Sequence, residues 1–264
     1  MTPILMLGAG RMGGALIEGW REAGVFPAGE LIIRDPFPGE AAEAAAQAGA
    51  LLNPPDSVLA SARTVLMCVK PQIWREAAAE VAPWLASGAV VVSIAAGVKA
   101  ADLAHEFGGR CVARVMPTTA VAIRQGAASI YAEEPEARAR AHALFKPVAQ
   151  VVDFLDEELM HAATAVSGSA PAYLYAFIEA LEAAGLEAGL TAEASRALAR
   201  GTIGGAAALL TRSGEDPAEL RRQVTSPGGT TEAALKVLTA EAGLPALLRE
   251  AVAAAVRRSK ELGA

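Results

Sequence analysis

The sequence predicts an α/β fold in two parts, a mostly parallel sheet followed by an all-α C-terminal region. Three observations predict it. From residue 1 to about 153, short β-branched runs alternate with alanine-rich helical stretches, the pattern of a sheet covered on both faces. From about Glu157 no strand-like run recurs and apolar residues return at helical spacing. A glycine-rich turn joins the first run to the first helical stretch. The expected domains are therefore 1–153 and 154–264.

The strand-like runs are 4–7, 31–33, 65–69, 90–94, 112–115, 129–131 and 151–154. In the second part, Ala172, Leu174, Tyr175, Ile178, Leu181 and Leu186 form the first helical stripe. Others follow over 197–210, 235–240 and 247–256. Thr191 reads as an N-cap with Glu193 behind it, and Asp216-Pro217 opens another helix, so at least four helices are expected. Small residues such as those of 201–208 let helix axes approach closely. Long alanine-rich helices with no sheet to lie on find their apolar partner in a second chain, which predicts a homo-oligomer.

The chain has 264 residues, 53% hydrophobic and 20% charged, and alanine supplies roughly a quarter of it. Gly, Arg or Glu interrupts every apolar stretch before the roughly 18 residues that a membrane span needs. The N-terminus enters a strand with no basic region and no cleavage site, so a soluble, cytoplasmic protein is expected. A net charge of −6 without long runs argues against a nucleic-acid partner. Cys68 and Cys111 sit in apolar runs and read as small buried hydrophobes, with neither a metal site nor a disulfide expected. His105, His142 and His161 fall in polar helical contexts and read as solvated imidazoles. No Ser-His-Asp or His-Cys arrangement is visible.

The chemistry lies in the turns. Gly8-Ala9-Gly10-Arg11-Met12-Gly13-Gly14 follows the first strand and opens a helix. Gly8 suits a tight turn, Gly10 the close approach of a pyrophosphate, and Gly13 the packing of helix on strand. That is a Rossmann-type dinucleotide fingerprint, with the phosphates at the helix N-terminus. Asp35 stands 22 positions beyond Gly13, where a carboxylate binds the ribose diol of NAD. Arg34 beside it suits adenine or the 2′-phosphate of NADP, so NADH and NADPH both stay open. The run 65–69 ends in Val69-Lys70-Pro71, and lysine is scarce in this chain. Lys70 at the carboxyl end of a central strand would steady a cofactor or an anionic substrate. Small residues over 92–98 would let a flat ring lie on backbone, and 114–120 supplies a third strand tip. In the helical part, 167–173 and 224–231 are rich in glycine and hydroxyls. The second delivers N–H groups and hydroxyls to a helix start, a site for a carboxylate without any general base. A dinucleotide with no strong acid or base points to hydride chemistry.

These residues together resemble the pyrroline-5-carboxylate reductase family over residues 4–260. The resemblance rests on the glycine turn with Met12, Val69-Lys70-Pro71, 93–97, 114–117, 167–173 and 226–231, the last two being the specific ones. It implies an N-terminal domain that binds NADPH or NADH and C-terminal helices that form an interlocked homodimer, possibly within a higher homo-oligomer. Each substrate site would lie between the cofactor of one chain and helices of its partner. The implied reaction is hydride transfer to the cyclic iminium carbon of 1-pyrroline-5-carboxylate, giving proline. Gly8, Gly10, Arg11, Met12 and Gly13 would hold the pyrophosphate side, with Arg34 and Asp35 at the ribose. Val69, Lys70, Pro71, Ala96 and Gly97 would flank the nicotinamide and its ribose. Ser226, Gly228, Gly229 and Thr230 would bind the substrate carboxylate, and Thr231 would sit by the ring nitrogen as the catalytic group. Thr118, Ala120 and Ala170 depart from the family pattern, and Asn53 is offset from an expected ribose-contacting asparagine. Two other readings are a non-enzymatic dinucleotide sensor and a hydroxyacid dehydrogenase of the 6-phosphogluconate type. The latter needs a lysine that residues 157–200 lack.

Overall fold

Strand β1 (Ile4–Leu7) sets the pattern of the sheet. Ile4 and Met6 face one hydrophobic layer and Leu5 and Leu7 the other, as the two-residue pleat requires. All four are buried, which is why the strand reads as an unbroken apolar run. The structure, a computed structural model, describes residues 1–263. The remaining strands are β2 (Leu31–Arg34), β3 (Leu51–Leu52), β4 (Thr64–Met67), β5 (Val90–Ser93), β6 (Val112–Pro117), β7 (Gly126–Ala132) and β8 (Ala149–Phe154). Their order is β3-β2-β1-β4-β5-β6-β7-β8. β6 and β7 run antiparallel and the other neighbours run parallel. The mostly parallel sheet read from the sequence is thus present. β3 was not foreseen, because two residues are too few to show a β-branched run.

Helices α1 (Arg11–Ala23), α2 (Glu40–Gln47), α3 (Trp74–Val81), α4 (Ala100–Glu106) and α5 (Pro135–Phe145) cover the sheet. Leu16 and Trp20 of α1 and Leu144 and Phe145 of α5 pack with Ile4, Met6, Ile33 and Val92 on one face. Trp74 and Ala78 of α3 and Leu103 of α4 pack with Leu5, Met67 and Val91 on the other. Burying one such large side chain contributes roughly 1.5–3 kcal/mol. The indole N–H of buried Trp20 donates to the Leu144 carbonyl at 2.7 Å, so no polar atom of that side chain is orphaned.

The compact unit holding the sheet extends beyond the expected boundary at residue 153. It runs from Met1 to Gly168 and includes residues 255–263. Helix α6 (Leu159–Ala163) and a π turn over Thr164–Gly168 close its main segment. His161 is a correction to the sequence reading. It is buried, not solvated, and its Nδ1 lies 2.9 Å from Ser259 Oγ, which is also buried. Nearby, Glu157 Oε1 accepts from the Ala100 amide at 2.6 Å and from buried Arg114 Nη1 at 2.8 Å. His142 pairs with Asp153 at 2.9 Å, and His105 is exposed.

The second unit spans Ser169–Ala254. It holds α7 (Ala170–Glu187), α8 (Ala192–Ser213), α9 (Pro217–Gln223), α10 (Thr230–Leu238) and most of α11 (Leu244–Leu262), whose last turns belong to the sheet unit. The caps follow the sequence: Thr191 Oγ1 accepts from the Ala194 amide and Asp216 Oδ1 from that of Ala218. In this unit only Ser195 and Ala199 are buried. Leu174, Tyr175, Leu181, Leu209, Val237 and Leu247 are exposed in the single chain. Five helices therefore share almost no core of their own, whereas an independently stable domain requires one.

Candidate active site: a glycine-turn cleft and a hydroxyl-rich helix start

The glycine turn sits at the carboxyl end of β1, where the strand order reverses direction between β2 and β4, the position that receives ligands in open α/β sheets. Gly8 has φ +88°, and a Cβ there would come within 3.2 Å of the Cys68 carbonyl, so turn and space both demand glycine. A Cβ on Gly13 would lie 2.5 Å from the Gly8 oxygen, whereas one on Gly10 would meet nothing within 4 Å. Gly13 is thus a packing glycine, and the open space at Gly10 is what a pyrophosphate approaching the backbone needs. The three glycines fit a dinucleotide in the roles read from their spacing.

A cleft of about 650 Å³ opens here. Of the expected cofactor residues, Gly8, Gly10, Arg34, Asp35, Val69 and Lys70 line it, while Arg11, Met12, Gly13, Pro71, Ala96 and Gly97 lie outside its lining. Asn53, which the resemblance left offset from an expected ribose-contacting asparagine, also lines it, as do Phe37, Ile73 and Glu76, which no motif had announced. Asn53, in the left-handed region at φ 48°, holds the backbone of Asp35 through both its side-chain atoms, at 2.8 and 3.0 Å. The Asp35 carboxylate accepts from the Ala9 amide of the glycine turn at 2.6 Å and from the Phe37 amide at 2.8 Å. Arg34 pairs with Asp56. Burial pushes the Cys68 thiol pKa up, which disfavours the thiolate at this strand tip.

Two strand tips also carry structural contacts. Gly97 is buried with φ +82°, and a Cβ on it would lie 2.7 Å from the Ser259 oxygen and 2.8 Å from the Gly263 nitrogen. The chain's last turn accounts for this glycine, so its place beside a nicotinamide remains an expectation from the resemblance. Thr118 is buried and its Oγ1 accepts from the Ala127 amide at 3.0 Å. It braces the β6–β7 pair.

In the helical unit, 226–231 forms the entry to α10. Gly228 takes φ +72° and Gly229 is the N-cap. The first intrahelical bond is from Ala233 to Gly229, which leaves the N–H groups of Thr230, Thr231 and Glu232 without an intrahelical acceptor. Two donors of the expected carboxylate site are already engaged. Gly228 donates to Glu232 Oε2 at 2.8 Å and Gly229 to the Ser226 carbonyl at 3.0 Å. A carboxylate thus already occupies one amide of this turn, and the helix N-terminus favours that charge. Thr231 follows in the first turn of α10. The Ser167 hydroxyl donates to the Ala163 carbonyl at 2.8 Å, so the 167–173 segment is partly absorbed into helix.

Among the described residues no group of three His, Cys, Asp or Glu is placed to hold a metal ion. No helix of those residues is long and apolar enough to cross a membrane.

Comparison with known proteins covers the whole chain. Residues 157–262 match the family model described as pyrroline-5-carboxylate reductase dimerisation. Residues 3–97 match that described as NADP oxidoreductase, coenzyme F420-dependent. The pyrroline-5-carboxylate reductase of Pseudomonas aeruginosa is 40% identical over 99% of this chain and 97% of its own length. That of Pisum sativum is 35% identical over 97% and 94%. The solved structure of the Coxiella burnetii enzyme superposes with a TM-score of 0.89 at 28% identity, covering 100% of this chain and 99% of that one. A Plasmodium falciparum pyrroline carboxylate reductase solved with NADP bound gives 0.85 at 26%, over 100% and 98%.

Proposed function

Because the chain belongs to the pyrroline-5-carboxylate reductase family, we propose that it reduces 1-pyrroline-5-carboxylate to proline with NADPH or NADH, the last step of proline synthesis. The observation that carries this reading is full-length identity to curated reductases, joined to a glycine-turn cleft that fits a dinucleotide. When bound, the dihydronicotinamide supplies the hydride equivalent. The protein's part is to hold and orient.

Gly8, Gly10 and Gly13, with Arg11 and Met12, bring the N-terminus of α1 to the pyrophosphate, and Asp35 takes the ribose diol. Val69, Lys70 and Pro71 of the β4 tip, with Ala96 and Gly97 of the β5 tip, fix the ring end. Ser226, Gly228, Gly229 and Thr230 hold the substrate carboxylate, and the unpaired amides of Thr230 and Thr231 carry most of that task. The protonated imine carbon is already electrophilic, so no strong acid is required. The Thr231 hydroxyl accepts a hydrogen bond from the ring N–H, keeping the proton on nitrogen while the carbon receives two electrons. Overall, imine, reduced coenzyme and one proton give amine and oxidised coenzyme.

The chain acts as a homodimer through its C-terminal helices, with a higher homo-oligomer built on it. The scarcity of buried residues in 169–254 and the dimerisation match over 157–262 support this assembly. We assign cofactor binding to 1–153 and dimerisation and substrate binding to 154–264, although the compact units divide after Gly168 and the last turns of α11 belong to the sheet unit. Two free cysteines fit a cytoplasmic location. The test is steady oxidation of NADH or NADPH on adding pyrroline-5-carboxylate, with proline accumulating in equal amount. A protein that binds the dinucleotide but oxidises none would be a sensor instead.

A further inference from the structure

We propose that the Arg34–Asp56 ion pair, acting with Asp35, steers this chain toward the coenzyme without a 2′-phosphate, and that Asp56 decides the choice. The inference rests on the cofactor reading above. At the end of β2 a carboxylate suits the ribose diol, and an available guanidinium suits a 2′-phosphate. The sequence offers both in adjacent residues, and the structure separates their roles.

Asp35 is fixed at the cleft. Its two oxygens accept from the Ala9 and Phe37 amides, and Asn53 grips its backbone from both sides. A carboxylate has about four lone-pair sites, so two such bonds leave room for ribose hydroxyls while keeping its charge in place. Arg34 is committed elsewhere. Its Nη2 bonds Asp56 Oδ1, and its Nε is buried without a hydrogen-bond partner. Its other donors sit on a guanidinium whose charge is already matched by Asp56. Asp56 does not itself line the cleft. It begins the 3₁₀ turn Asp56–Ser61, held in place by the preceding Pro54-Pro55. A 2′-phosphate arriving here meets a fixed carboxylate and must break the Arg34–Asp56 pair to gain a cation. A bare ribose diol has no such requirement.

Calorimetric titration of the full-length protein with ADP and with 2′,5′-ADP tests this without any turnover. The wild type should bind ADP about fivefold or more tightly than 2′,5′-ADP. Asp56→Asn should strengthen 2′,5′-ADP binding about tenfold, well beyond any change for ADP, and the gain should vanish when Arg34→Ala is added. Arg34→Ala alone should keep or widen the preference for ADP, since it removes a cation already neutralised and unpairs Asp56. Tighter binding of 2′,5′-ADP by the wild type, or a narrowed preference in Arg34→Ala, would overturn the inference and leave the reductase reading standing. So would an Asp56→Asn gain that survives without Arg34. Binding of neither nucleotide would overturn the cofactor reading and this inference with it.

Discussion

Nδ1 of His161 lies 2.9 Å from Oγ of Ser259, a buried contact between residues 98 positions apart that ties the start of α6 to the end of α11. Ser259 in turn lies against Gly97 of the β5 tip, so one polar bond and one side-chain-free residue together seat the end of the chain on the sheet unit. Arg114 of β6, Glu157 and Glu158 before α6, and Lys260 of α11 are the charged groups around the imidazole.

The pKa of His161 is lowered, first by burial and then by the Arg114 charge, with Lys260 acting in the same sense and Glu158 and Glu157 opposing. Above the ordinary histidine value of about 6.5, folded and unfolded chains both keep it neutral and the contact contributes fully. As pH falls below that value the unfolded chain takes up a proton that the folded chain resists, so stability is lost until the lowered folded value is reached. Melting temperature should therefore fall from about pH 7 to about pH 5.5 more steeply in the wild type than in His161→Asn. Parallel slopes would show that His161 does not report on this transition.

Gly97→Ala should destabilise the protein by about 2 kcal/mol or more, because it adds a Cβ in the left-handed region and against the backbone of Ser259 and Gly263. Thermal or denaturant unfolding measures it. An unchanged midpoint would mean that the end of the chain is not seated there.

Glu232→Gln should lower KM for pyrroline-5-carboxylate severalfold with little effect on coenzyme binding. Glu232 places a negative charge on the Gly228 amide, one of the donors assigned to the substrate carboxylate. Steady-state kinetics at saturating coenzyme decide the point, and a raised KM would instead make Glu232 a supporting residue of the turn.

Thr231→Ala should lower kcat by about tenfold to a hundredfold and leave coenzyme affinity nearly unchanged, since the proposed role of the hydroxyl is at the ring nitrogen and not at the dinucleotide. Thr231→Ser should restore much of the rate. An unchanged kcat in Thr231→Ala would remove the hydroxyl from the mechanism.

The solution mass should exceed the 26.9 kDa monomer at micromolar concentration. Sedimentation equilibrium reads it directly, and a monomer would leave the exposed leucines of α7, α8 and α11 without an explanation.

Local rules made the sheet and the glycine turn legible. The turn at Gly8, the packing at Gly13, and the caps Thr191 and Asp216 follow from residue type and spacing. What the sequence hid depends on distant partners. His161 has polar neighbours in sequence, but its burial is created by Ser259 and the end of α11. Thr118 stands in sequence only as a departure from the family pattern, and β7 brings the Ala127 amide to it; Arg34 suits adenine or a 2′-phosphate, and the fold sets Asp56 against it. Gly97 follows the same logic: the resemblance sets it beside a ring, and the fold adds that the returning end of α11 also requires a residue without a side chain there.

In the proposed function, hydride passes to an imine carbon held by the 226–231 turn. The most direct measurement uses coenzyme dideuterated at nicotinamide C4 and follows the label into product by mass spectrometry. The account predicts proline carrying a single deuteron at C5, the former imine carbon, formed in step with coenzyme oxidation. Proline without the label, or coenzyme oxidised with no proline formed, would contradict it.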